Sequence, residues 1–125
     1  MTIDYILRLA KDYESCTHTA NMERFILQDG LESAIQDFLR DWVKTIPEEK
    51  KRLLGDRIMR PAYYIENKRL ELEYVWLNTN EVCVKSSHED DTEIYISISP
   101  THILIRDKEF GMREVAFPTL WGEST

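Results

Sequence analysis

The densest run of residues able to do chemistry is His88-Glu89-Asp90-Asp91-Thr92-Glu93, four carboxylates in six residues. A hard cation takes roughly six to eight oxygens, and such a run could supply several. The spacing is not that of a calcium loop, no glycine stands at the required bend, and Glu93 belongs to a strand pattern. The run therefore reads as a solvated hairpin loop, and no metal ligand is assigned. Its other use is recognition: an acidic loop can enter the basic cleft of a nuclease or a similar partner.

Cys16-Thr17-His18 invites a nucleophile reading. A catalytic cysteine needs a base within hydrogen-bond reach and an electropositive setting, and nothing in the spacing links Cys16, Cys83 and the three histidines into such a set. Two cysteines in different halves, without metal-ligand spacing, read as reduced thiols of a cytoplasmic protein. Twenty-three acidic residues always contain pairs, but no feature marks the cleft that two-carboxylate chemistry needs. Gly30, Gly55, Gly111 and Gly122 stand too far apart to cradle a phosphate. No catalytic residue and no cofactor is assigned, and the balance lies against an enzyme.

Charge narrows the partners. The net charge is −7. Residues 1–60 carry 10 basic and 11 acidic side chains, residues 61–125 only 6 basic against 12 acidic. An acidic second half repels phosphate and attracts a basic partner. Lys50-Lys51-Arg52 with Arg57 and Arg60 is the one basic concentration. Without interleaved aromatics it reads as the charged face of a short helix, which disfavours nucleic-acid binding. No apolar run approaches the ~20 residues of a membrane span, and Met1-Thr2-Ile3-Asp4-Tyr5 lacks the pattern of a signal peptide.

The elements that must position these residues follow from hydrophobic period. Thr2 can cap a helix whose stripe is Ile3, Ile6, Leu7, Ala10 and Tyr13. Asn21 can open a short helix through Gln28, carrying Met22, Phe25 and Ile26, with Gly30 as its stop. Leu31, Ala34, Ile35, Phe38, Leu39, Trp42, Val43 and Ile46 keep helical spacing, with Glu32, Gln36, Asp37, Arg40, Asp41 and Lys44 on the opposite side. Pro47 ends that helix or opens the next, which runs through Glu48 and Glu49 to Gly55.

Near Pro61 the period is read as changing to alternation. Ala62–Glu66 and Arg69–Leu77 form strands around an Asn67-Lys68 turn; Glu81–Ser87, Thr92–Ser99, His102–Asp107 and Arg113–Phe117 follow. Leu70, Leu72, Tyr74 and Trp76 are placed inward with Val82, Val84, Ile94, Ile96, Ile98, Ile103, Ile105, Val115 and Phe117. The outer face then shows a row Glu73, Lys85, Glu93, Lys108 and a second row Val75, Cys83, Tyr95, Arg106, Glu114. Alternating charges across strands favour this register. Leu120-Trp121 is expected to fold back and cap the core.

These observations predict one α+β domain over 1–125, with a helical half at 1–60, a sheet at 61–118 and a tail at 119–125. Three to four N-terminal helices cover one face of a five- or six-stranded antiparallel meander. The function expected is a small acidic protein-binding module, an inhibitor or immunity-type protein that occludes a basic toxin or nuclease. Its contacts would be Glu73, Glu89, Asp90, Asp91, Glu93, Tyr95 and Arg106. The alternatives are a small-ligand protein or enzyme with a pocket between helices and sheet, and a homodimeric subunit pairing through an edge strand.

Overall fold

The computed structural model describes residues 3–15, 21–70 and 72–119. Four helices precede a five-stranded antiparallel sheet, with strands adjacent in space in chain order. The α+β meander read from the sequence is the architecture observed. Thr2, Cys16-Thr17-His18 and Leu120-Trp121, read above as a cap, an unlinked thiol and a core-capping tail, lie outside the described residues.

Helix α1 (Ile3–Ser15) buries Ile6, Leu7 and Ala10 and rests Ile3 and Tyr13 against the core, the stripe its spacing predicts. Helix α2 runs unbroken from Asn21–Lys44, so Gly30 does not stop a short helix as expected. A glycine inside a helix costs about 1 kcal/mol relative to alanine. One turn on, Leu31, Ala34 and Ile35 are all buried, and the burial of Leu31 and Ile35, worth about 1.5–3 kcal/mol each, outweighs that cost.

Pro47 caps α3 (Glu48–Leu54), and Gly55, at φ +56°, is shared by the end of α3 and the start of α4 (Asp56–Asn67). Its N–H bonds the Lys51 carbonyl at 2.9 Å, and its own carbonyl accepts from Ile58 and Met59. Left-handed backbone at a two-helix corner is the place where glycine is needed.

Ala62–Glu66 is not a strand, and Asn67-Lys68 is not a hairpin turn; both belong to or end α4. Pro61 lies inside this helix, and the buried set Ile58, Pro61, Ala62 and Ile65 has i, i+3, i+4, i+7 spacing. The alternation of Ala62 and Tyr64 imitates a strand because the helix also buries Tyr64. A second correction concerns Gln36, expected on the solvent side of α2. It is buried: its Nε2 donates to the carbonyls of Ile65 (2.6 Å) and Lys68 (3.2 Å), and its Oε1 accepts from Leu70 N–H (2.7 Å). One side chain thus satisfies the end of α4 and turns the chain toward the sheet.

The strands are β1 (Leu72–Asn78), β2 (Glu81–Ser87), β3 (Glu93–Ile98), β4 (His102–Asp107) and β5 (Glu114–Pro118). The sheet edges are therefore β1 and β5. Val82, Ile98, Ile103 and Phe117 stand in one cross-strand row and Val84, Ile96, Ile105 and Val115 in the next. Both rows join the core with residues of α1, α2 and α4. Trp42 closes the far end, its ring 5.9 Å from that of Phe117 and its Nε1 donating to the Pro118 carbonyl at 2.8 Å.

The first strand departs from expectation. Leu72 stands opposite Ser86, but Tyr74 stands opposite Lys85, so β1 advances two residues while β2 advances one. Such a bulge transfers every later residue to the other face. Val75 and Leu77, not Trp76, pack against the core. Val75 leaves the outer row assigned to it and pairs with Val84, while Trp76 faces away from the helices, opposite Cys83, and is 37% exposed.

Candidate functional site

With the helices gathered on one face, the other face of the sheet displays the residues singled out from sequence. Tyr95 on β3 stands between Lys85 on β2 and Arg106 on β4. The Lys85 ammonium lies 5.6 Å from its ring centroid and the Arg106 guanidinium 5.2 Å. Both lie within the ~6 Å over which a ring's π face attracts a cation. Glu93 bridges Lys85 and Lys108, each at 3.1 Å, and these lysines, Lys85 first, hold its carboxyl below the usual range. Arg106 stands opposite Glu114 on β5. Of the expected charge row, Lys85, Glu93 and Lys108 are in contact, but the Lys85–Glu93 contact is diagonal: Tyr95, not Glu93, stands opposite Lys85, and Ser97, not Tyr95, opposite Cys83. The Glu73 side chain lies outside what is described.

Trp76, Cys83, Ser97, Leu104 and Ala116 form the adjoining row. Cys83 is buried within it although it lies outside the main core. Burial, first of all, pushes its thiol up, which leaves it a poor nucleophile.

The acidic loop is less free than its composition suggests. His88 N–H bonds the Thr92 carbonyl at 2.9 Å, closing the hairpin, and Asp91 takes left-handed backbone at φ +68°. Asp90 turns inward. Its carboxylate accepts from the Tyr64 hydroxyl on α4 and from Thr92 N–H at 3.1 Å. The Tyr64 hydroxyl and then Thr92 lower its pKa from 3.8 to about 2. Asp90 is thus a tether, although it is exposed, as are Glu89 and Asp91 beside it.

Behind that tether lies a polar cluster with no counterpart in the sequence reading. Arg60 Nε donates to the buried Asp107 carboxylate at 3.0 Å, and its other nitrogen donates to Thr92 Oγ1 at 3.0 Å. Thr92 Oγ1 donates in turn to the Tyr64 oxygen at 3.0 Å. The His88 ring rests 4.7 Å from that of Tyr64, with Ser86 Oγ 3.0 Å from His88 Nε2. A serine beside a histidine suggests acyl transfer, yet Ser86 is fully buried and offers no approach to a substrate. The cluster satisfies buried polar groups and holds α4 on the sheet. Among the described residues no group of three or more His, Cys, Asp or Glu could hold a metal ion.

Of the residues proposed from sequence, Glu93, Tyr95 and Arg106 come together on one surface; Glu89 and Asp91 are exposed in the β2–β3 loop, and Asp90 is tied to Tyr64 on α4. Trp76 was missed because no residue type marks the bulge. Tyr64 and Arg60 were missed with their helix, though the spacing from Ile58 to Ile65 carried the signal. No helix of the described residues is long and apolar enough to cross a membrane. Compared with known protein families, curated proteins and solved structures, the chain matches none.

Proposed function

We propose that this protein is a binding module that docks a basic protein partner on the outer face of its sheet, as an inhibitor or immunity-type protein docks a toxin or nuclease. The observation that carries this reading is the surface around Tyr95. It combines Trp76, Tyr95, Leu104 and Arg106, with Glu114 opposite Arg106 and with Glu89 and Asp91 exposed in the β2–β3 loop. Tryptophan, tyrosine and arginine are the side chains that most often anchor an interface, and a polar rim around them sets specificity and approach. Rim carboxylates on a half carrying 12 acidic and 6 basic residues steer a cationic partner. Glu93 is engaged by Lys85 and Lys108, and Asp90 by Tyr64, so the contacting set shifts from the acidic loop toward Trp76, Tyr95 and Arg106.

The test is affinity capture from the native host with wild type, a Tyr95→Ala/Arg106→Ala variant and a Glu89→Gln/Asp91→Asn variant. A basic protein is expected with wild type. It should be lost from the first variant, reduced with the second, and released at ~0.5 M salt, where the Debye length falls to about 4–5 Å. A partner indifferent to both variants and to salt, or the absence of any partner, overturns the reading.

A further inference from the structure

A second site lies on the buried face of the sheet, on the other side of the strands from the surface around Tyr95. Between the start of α4 and strands β4 and β5 there is an open cavity of about 280 Å³. Ile105, Val115 and Phe110 supply apolar walls, and Arg57 and Arg113 also line it. Among the described residues neither arginine side chain has an ion pair or a hydrogen bond. This contrasts with their basic neighbours: Arg60 is taken by Asp107, and Lys108 by Glu93. The wall beside Arg113 is made by a turn in which Gly111 and Met112 both take positive φ, +69° and +65°. Met112 N–H is held there by the Asp107 carbonyl at 3.2 Å. Left-handed backbone is costly for methionine and persists only where the surroundings impose it.

We propose that this cavity binds a small organic monocarboxylate with an apolar body. A guanidinium matches a carboxylate with two parallel hydrogen bonds, and two arginines lining one apolar cavity offer that contact where the ligand's body loses water. An apolar cavity of roughly 150 Å³ takes benzene, so this one has room for about ten non-hydrogen atoms. A phosphate group suits it less. The buried Asp107 carboxylate lies in the wall and repels a dianion more strongly than a monoanion.

The probe is hexanoate, followed through the backbone amides of the whole chain by NMR, with hexanamide, acetate and inorganic phosphate as comparisons. Hexanoate is expected to shift Gly111, Met112 and Val115 saturably. Hexanamide, which lacks the charge, and acetate, which lacks the apolar body, should each bind at least about tenfold more weakly. Arg57→Gln/Arg113→Gln alters two exposed side chains and should weaken hexanoate by a similar factor while leaving distant amides unmoved. Equal binding of hexanamide or phosphate, full binding by the double variant, or no saturable shift at these residues overturns the proposal.

Discussion

The Tyr64 hydroxyl on α4 donates its hydrogen to the Asp90 carboxylate in the β2–β3 loop, tying the most acidic segment of the chain to the helical layer. Tyr64 is buried and Asp90 exposed, so the bond spans the boundary of the core. It converts a charge that composition offers to a partner into one that the fold uses.

This bond sets a pH dependence. The Asp90 pKa is depressed in the folded protein to about 2, from 3.8. Its contribution to stability is therefore fully present above the unfolded value and is lost as pH falls from about 4 toward 2. Urea midpoints of wild type and Asp90→Asn, compared across that window, should converge as pH falls. Tyr64→Phe should return the Asp90 titration toward its ordinary value, read by NMR at its carboxyl carbon. A parallel pH course for the two proteins, or an unmoved titration in Tyr64→Phe, would contradict the assignment.

Arg60 and Asp107 make a stronger demand. The Asp107 carboxylate is only 3% exposed and has Arg60 at 3.0 Å. Arg60→Ala leaves that charge without its cation and also removes the donor to Thr92. The expected loss is about 3 kcal/mol in urea unfolding, the lower end for a broken buried pair. Lys51→Ala, which removes an exposed pair with Glu48, should cost no more than about 0.5 kcal/mol. Equal effects from the two substitutions would show that Asp107 does not depend on Arg60.

Gly30 offers a stabilising change. It lies within α2, has no positive φ, and a methyl group built there meets nothing within 4 Å. Gly30→Ala should raise stability by about 0.5–1 kcal/mol, chiefly by restricting the unfolded chain. A higher thermal midpoint with an unchanged far-ultraviolet spectrum is the expected result, and a lower one would mean that the helix is broken at Gly30.

Hydrophobic period by itself determined the order of layers, because burial of a stripe or of alternate residues depends on local spacing. The stripes of α1 and of α2 after Leu31, and the ranges of β2 and β4, follow from that rule alone. The Glu93, Tyr95 and Arg106 surface was legible too, since β3 to β5 keep alternation, although β2 lies two residues from the expected register, with Lys85 and not Cys83 opposite Tyr95. Tertiary structure decided the rest. Gly30 and Pro61 carry local signals to stop a helix, and burial of Leu31, Ile35, Ile58 and Ile65 overrides both. Gln36 became buried because the end of α4 and the start toward β1 needed its amide. The bulge after Leu72 exchanged Trp76 for Val75 at the core, an outcome set by how β1 meets β2 and not by any residue within it. Asp90 and Tyr64, 26 positions apart, could meet only once α4 lay across the sheet. Long-range packing energies are several times larger than a single propensity, and for that reason they, and not the local signals, placed these residues.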